Sequence, residues 1–132
     1  MLLSAAPAQA EVAVKPHAKA DEAKILKIVN QAQKLFHKYQ KSLAGKMSGV
    51  PANITVHVHE TPEDIGKATS RPARTQEGIV VARCDYPRGI VYITQRQGWE
   101  DDLLHELGRL AMQSDDEDQA EGFVAYFEKH KE

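Results

Sequence analysis

The chain has 132 residues, a net charge of -2 and one cysteine, with 42% hydrophobic and 27% charged residues. That length holds one domain with a modest core, and one cysteine excludes an intrachain disulfide framework and a Cys-rich zinc module. No apolar run approaches the roughly 20 residues of a membrane-spanning helix, and the near-neutral total lacks the basic surface that nucleic-acid binding requires. The total conceals a division. Residues 1–52 carry eight basic and three acidic residues, and residues 53–132 carry nine basic and sixteen acidic ones.

The first ten residues end in Ala8-Gln9-Ala10, small residues at the two positions a signal peptidase reads. Residues 1–10 are therefore expected to be the remnant of an export signal, with Glu11 opening a periplasmic or secreted mature chain; an Ala-rich tail is the alternative. Residues 11–20 contain Pro16 and show no apolar period, which predicts a flexible lead-in to a single domain over 21–132. From Asp21 to about Leu43, Ile25, Ile28, Val29, Ala32, Leu35, Phe36, Tyr39 and Leu43 recur at helical steps. Lys24, Lys27, Lys34, Lys38 and Lys41 cover the other side as a solvated face.

Asn53–His59 alternates, with Ile54, Val56 and Val58 on one face and Thr55, His57 and His59 on the other, as in a half-buried strand. Thr61-Pro62 reads as an N-cap followed by proline at the first position of a short helix. Residues 69–77 are polar and read as a loop. Gly78–Cys84 and Gly89–Thr94, joined by Asp85-Tyr86-Pro87-Arg88, read as a hairpin.

A helix follows from Trp99 to about Gln113, with Leu103, Leu104, Leu107, Leu110 and Ala111 on its apolar side. Asp101, Asp102, His105, Glu106 and Arg109 fall on the opposite, solvated side. Ser114 to Glu117 has capping-box spacing and opens a last helix with Ala120, Phe123, Val124 and Phe127 inward. The order predicts an α+β domain: an N-terminal helix, a small, mostly antiparallel sheet, then two helices.

Chemistry concentrates in Leu103-Leu104-His105-Glu106-Leu107-Gly108-Arg109-Leu110 and in the following Glu117, Ala120, Glu121, Phe123 and Ala125. These segments resemble the zincin metallopeptidases, specifically small gluzincin-like families whose H-E-x-x-H helix precedes a helix reading E-x-x-A-N-x-F-x-A. In H-E-x-x-H the two histidines share a helix face and bind one zinc ion. A third protein ligand leaves a position for water, which the glutamate activates as general base. The resemblance implies His105 and Glu117 as metal ligands, Glu106 as catalytic base, and a substrate-aligning edge strand at Ile90–Thr94. The chain departs from the family at Glu121, in place of Asn, and at Arg109, in place of the second His. A guanidinium has only donors and cannot ligate a metal.

Two functions from different classes follow. One is a pseudopeptidase, binding a peptide or protein along the edge strand, with an Arg109–Glu106 or Arg109–Glu117 ion pair where zinc would sit and zinc binding weak or lost. The other is a zinc metallopeptidase using His105, Glu106 and Glu117 with a substitute ligand from His57, His59 or Asp102. A small interaction domain unrelated to zincins is a third reading. In it, Glu106 and Arg109 are an exposed i,i+3 pair and Glu117 is a capping residue. His57 and His59 read as exposed sheet histidines, and Cys84 as a buried, inert thiol.

Overall fold

The computed structural model describes residues 11–42, 51–68, 73–76 and 79–131. The elements are β1 (Val12–Pro16), α1 (Glu22–Ser42), β2 (Ile54–His59), α2 (Pro62–Ala68), β3 (Ala73–Gln76), β4 (Ile79–Asp85), β5 (Ile90–Thr94), α3 (Trp99–Met112) and α4 (Glu117–His130). The chain is an α+β domain with the expected order of helix, sheet and helices. Residues 1–10, with the expected export signal, lie outside the described residues.

The strands form one sheet in the order β1-β2-β5-β4-β3. β2, β5, β4 and β3 alone are mostly antiparallel, as expected; β1, joining β2 in parallel, makes the whole sheet evenly mixed. The segment read as a flexible lead-in is thus an edge strand. Val12 and Val14 are half-buried against the core, and Pro16, which lacks a donor, is tolerated because an edge strand leaves one side unpaired. Hydrogen bonds bracket the strand at both ends, Ile54 N–H to Glu11 O (2.8 Å) and His17 N–H to Val58 O (2.8 Å). The polar segment read as a loop also contains a strand: β3 pairs antiparallel with β4, with a register shift between Arg74 and Thr75.

The hairpin forms as expected. Arg88 N–H reaches Asp85 O at 3.1 Å, and Gly89 takes φ +74, a conformation that glycine adopts without strain. β5 does not lie at an edge, however. Its parallel pairing with β2 and antiparallel pairing with β4 satisfy both of its sides. The expected substrate-aligning role of Ile90–Thr94 is therefore excluded, because strand addition needs unpaired backbone groups.

On one sheet face Ile54, Val56, Val58, Ala82, Cys84, Val91 and Ile93 join Ile25, Val29, Phe36, Leu103, Leu107, Leu110, Phe123 and Phe127 in a core. The five lysines of α1 are exposed, as their spacing indicated. α2 packs against β4, β5 and β2 and buries Ile65. Thr61 Oγ1 accepts from Asp64 N–H at 3.3 Å, the expected cap.

α3 departs most from expectation. Every residue from Asp102 to Ala111 is buried, so of the side read as solvated only Asp101 faces out. Helix α4, returning across α3, covers His105 and Arg109, while Arg96 covers Asp102. Gly108 permits the approach: a Cβ there would stand 2.6 Å from the Ala120 carbonyl oxygen. The turn between the helices ends α3 at Gln113, a left-handed C-cap whose N–H bonds Arg109 O and Leu110 O. The N-cap of α4 is Asp116, not Ser114. Its carboxylate accepts from Asp118 and Gln119 N–H, while Ser114 Oγ accepts from Asp116 N–H at 3.0 Å. Glu117 is accordingly a first-turn residue and leaves the expected capping box unformed.

Candidate functional site

The antiparallel α3–α4 pair gathers the residues that carry the zincin resemblance. His105 Nε2 lies 3.4 Å from Glu117 Oε1, and His105 Nδ1 is hydrogen-bonded to Glu121 Oε2 at 2.9 Å. Arg109 Nη2 lies 3.6 Å from the same Glu117 oxygen, and Arg109 Nη1 lies 3.8 Å from Glu106 Oε1. His105, Glu106 and Arg109 are buried, whereas Glu117 and Glu121 are about two-thirds exposed at the rim. Glu121 was missed as a partner by sequence reasoning, which saw it only as a departure from Asn. Its signal was its position one helical turn after Glu117, which places both carboxylates above His105.

The residues present do not fit a zinc ion here. Arg109 occupies the position of the second histidine and brings a permanent positive charge against Glu117, the oxygen donor a zinc ion would need. The two nitrogens of His105 address different carboxylates. Glu121 already holds Nδ1 by a hydrogen bond, so only Nε2, facing Glu117, is left on the side that Arg109 occupies. Glu106, the expected base, is 0% exposed. Its charge is felt by Cys84, whose thiol is pushed well up by burial and further by Glu106. Cys84 is fully buried, in keeping with the inert reading.

The substitute ligands fare no better. Asp102 is held by Arg96 through two contacts, Nε to Oδ2 at 2.9 Å and Nη2 to Oδ1 at 2.8 Å. His57 and His59 alternate with the core residues Val56 and Val58, so they project from the sheet face opposite α3.

On that opposite face a second cluster assembles. The rings of His17 and His59 stack at 4.6 Å, and those of His17 and His57 at 5.2 Å. His17 Nε2 and His57 Nδ1 share a hydrogen bond of 2.9 Å. Tyr92, the register partner of His57 on β5, lies against the rings of both His57 and His59 at 5.3 and 6.1 Å. Burial and the neighbouring imidazoles lower the pKa of His57, and burial and His17 lower that of His59, holding both neutral at pH 7. The sequence reading saw the His57–His59 face but missed His17, because the alternation of Val12 and Val14 that carries it is only two residues deep.

Comparisons with models of known protein families, with curated proteins and with solved structures return no match to this chain.

Proposed function

We propose that the chain is an exported zincin-like domain that binds a peptide or protein partner without catalysis, a pseudopeptidase whose metal position is held by an ion-pair cluster. The observation that carries this reading is Arg109, buried and within 3.6–3.8 Å of Glu117 and Glu106. It supplies from the protein the positive charge that the carboxylates would otherwise draw from a metal. Burial of Glu106 argues in the same direction, since a general base has to reach a water and a scissile bond.

Partner binding by strand addition, with β5 occupied on both sides, falls to β1 or β3, the outer strands among those described. Export is supported by the place of the expected cleavage. A cut after Ala10 leaves Glu11, whose carbonyl accepts from Ile54 N–H, and the whole of β1 intact.

The test combines peptidase assays with metal binding at α3. The unmodified chain is expected to cleave no peptide, and its zinc binding to be unchanged by His105→Ala. Arg109→His, confirmed folded by circular dichroism, is expected to gain one zinc equivalent that a further His105→Ala change removes. A folded Arg109→His protein with no such gain would count against zincin ancestry and leave the unrelated interaction domain. Zinc-dependent cleavage by the unmodified chain would overturn the non-catalytic reading. Amino-terminal sequencing of protein recovered outside the cytoplasm is expected to begin at Glu11.

A further inference from the structure

We propose that His17, His57 and His59 form a binding site for one divalent transition-metal ion, zinc being the reference ion, which ties the edge strand β1 to β2. The site lies on the sheet face away from the core helices and does not depend on the reading of Arg109. Its residues come together through strand geometry. His57 and His59 sit two residues apart and so project from the same face of β2. The parallel register that pairs Lys15 with His57 and Pro16 with Val58 carries His17 to a place beside His59. The hydrogen bond from His17 N–H to Val58 O fixes the backbone at that point.

One ring nitrogen from each histidine lies within 4.8 Å of the other two. Nitrogens bound to one zinc ion at about 2.0–2.1 Å in tetrahedral array stand about 3.3 Å apart. The observed approach of 2.9 Å between His17 and His57 is near that spacing, and no pair of the three exceeds 4.8 Å. His17 is exposed, whereas half-buried His57 and His59 are backed by Tyr92.

The donor set names the ligand class. Three imidazoles suit zinc, copper(II) or nickel(II) rather than the hard cations calcium and magnesium. Three protein ligands leave a fourth position for water. A groove of about 330 Å³, lined in part by Pro62, Gln95 and Arg96, runs beside His59.

The experiment is zinc titration of the chelator-stripped full chain by isothermal calorimetry at pH 7.5, with amide hydrogen exchange as a second readout. The expected result is one equivalent of zinc and slowed exchange of the β1 amides when zinc is added. His17→Ala, His57→Ala and His59→Ala are each expected to weaken binding at least tenfold, and His105→Ala to leave it unchanged. His17→Ala is the decisive variant because an exposed side chain is removed; circular dichroism of the metal-free protein verifies its fold. Failure to bind zinc at millimolar concentration overturns the proposal, as does undiminished binding by His17→Ala. Loss of binding on His105→Ala alone would move the metal to α3 and also overturn it, together with the reading of Arg109.

Discussion

Arg109 and Glu106 form an ion pair from which water is almost excluded, with side chains 3% and 0% exposed. Desolvating both charges offsets much of their attraction, so the pair is a modest source of net stability, but removing one partner leaves the other charged and buried. Arg109→Met is expected to destabilise the fold by about 3–5 kcal/mol in urea denaturation. Adding Glu106→Gln to that variant should recover a large part of the loss; a double variant no more stable than the single one would show that Glu106 is not the stranded charge. Cys84 gives a second test at this scale. Burial holds its thiol protonated well above the usual range, so a disulfide reagent at pH 8 is expected to leave the native protein unlabelled and to label the urea-unfolded chain fully. The identities of these residues were legible in the sequence because helical spacing puts His105, Glu106 and Arg109 within reach of one another. Their burial was not. A polar helix side reads as solvent-facing, and what buries it is tertiary: the sheet and α4 pack against α3, and Arg96 holds Asp102, contacts that no local pattern encodes.

The helices and the hairpin were legible because each advertises itself over many residues: α1 repeats its apolar stripe for five turns, and β4 and β5 flank a proline-containing turn. β1 and β3 were not, since a short edge strand needs few apolar residues and tolerates proline and polar side chains. The joint between α3 and α4 depends on single positions. Gly108 faces the Ala120 backbone so closely that a methyl group has no room. Gly108→Ala should therefore separate the helices despite alanine's better helix propensity, with a net loss of about 1–3 kcal/mol and an altered His105 NMR shift as the Glu117 and Glu121 contacts move. A stabilised variant would mean that the helices part without cost. At the start of α4, Asp116→Ala removes two capping hydrogen bonds and is expected to cost about 1 kcal/mol. Ser114→Ala, outside the helix, should cost less, which reverses the order that the capping-box spacing predicted.

Across the whole molecule, the division of charge between the two halves of the chain is partly resolved by contact. Lys24 on α1 meets Glu100 at the start of α3 at 2.7 Å. The hydrogen bond from Lys24 holds the Glu100 carboxyl below its ordinary pKa. A depressed carboxyl contributes stability above its unfolded value and loses that contribution as pH falls through the folded one. The pair is exposed, so its effect on folding is small and is better read directly: Lys24→Gln should move the Glu100 NMR titration upward. The fold's larger dependence is on its amino-terminal edge. β1 covers the outer side of β2, whose Ile54, Val56 and Val58 lie fully inside the core. A chain beginning at Glu11 keeps every β1 pairing and is expected to melt with the full-length protein. A chain beginning at Asp21 loses those pairings and the cover that half-buried Val12 and Val14 give the core. Its β2 becomes an open parallel edge with unpaired backbone groups beside a strongly apolar strand, the arrangement that invites edge-to-edge association. That shorter chain should melt lower and scatter light in proportion to its concentration, and zinc should no longer raise its thermal midpoint, because His17 leaves with the strand. A shorter chain that remained monomeric and melted unchanged would reduce β1 to an ornament on a sheet complete without it.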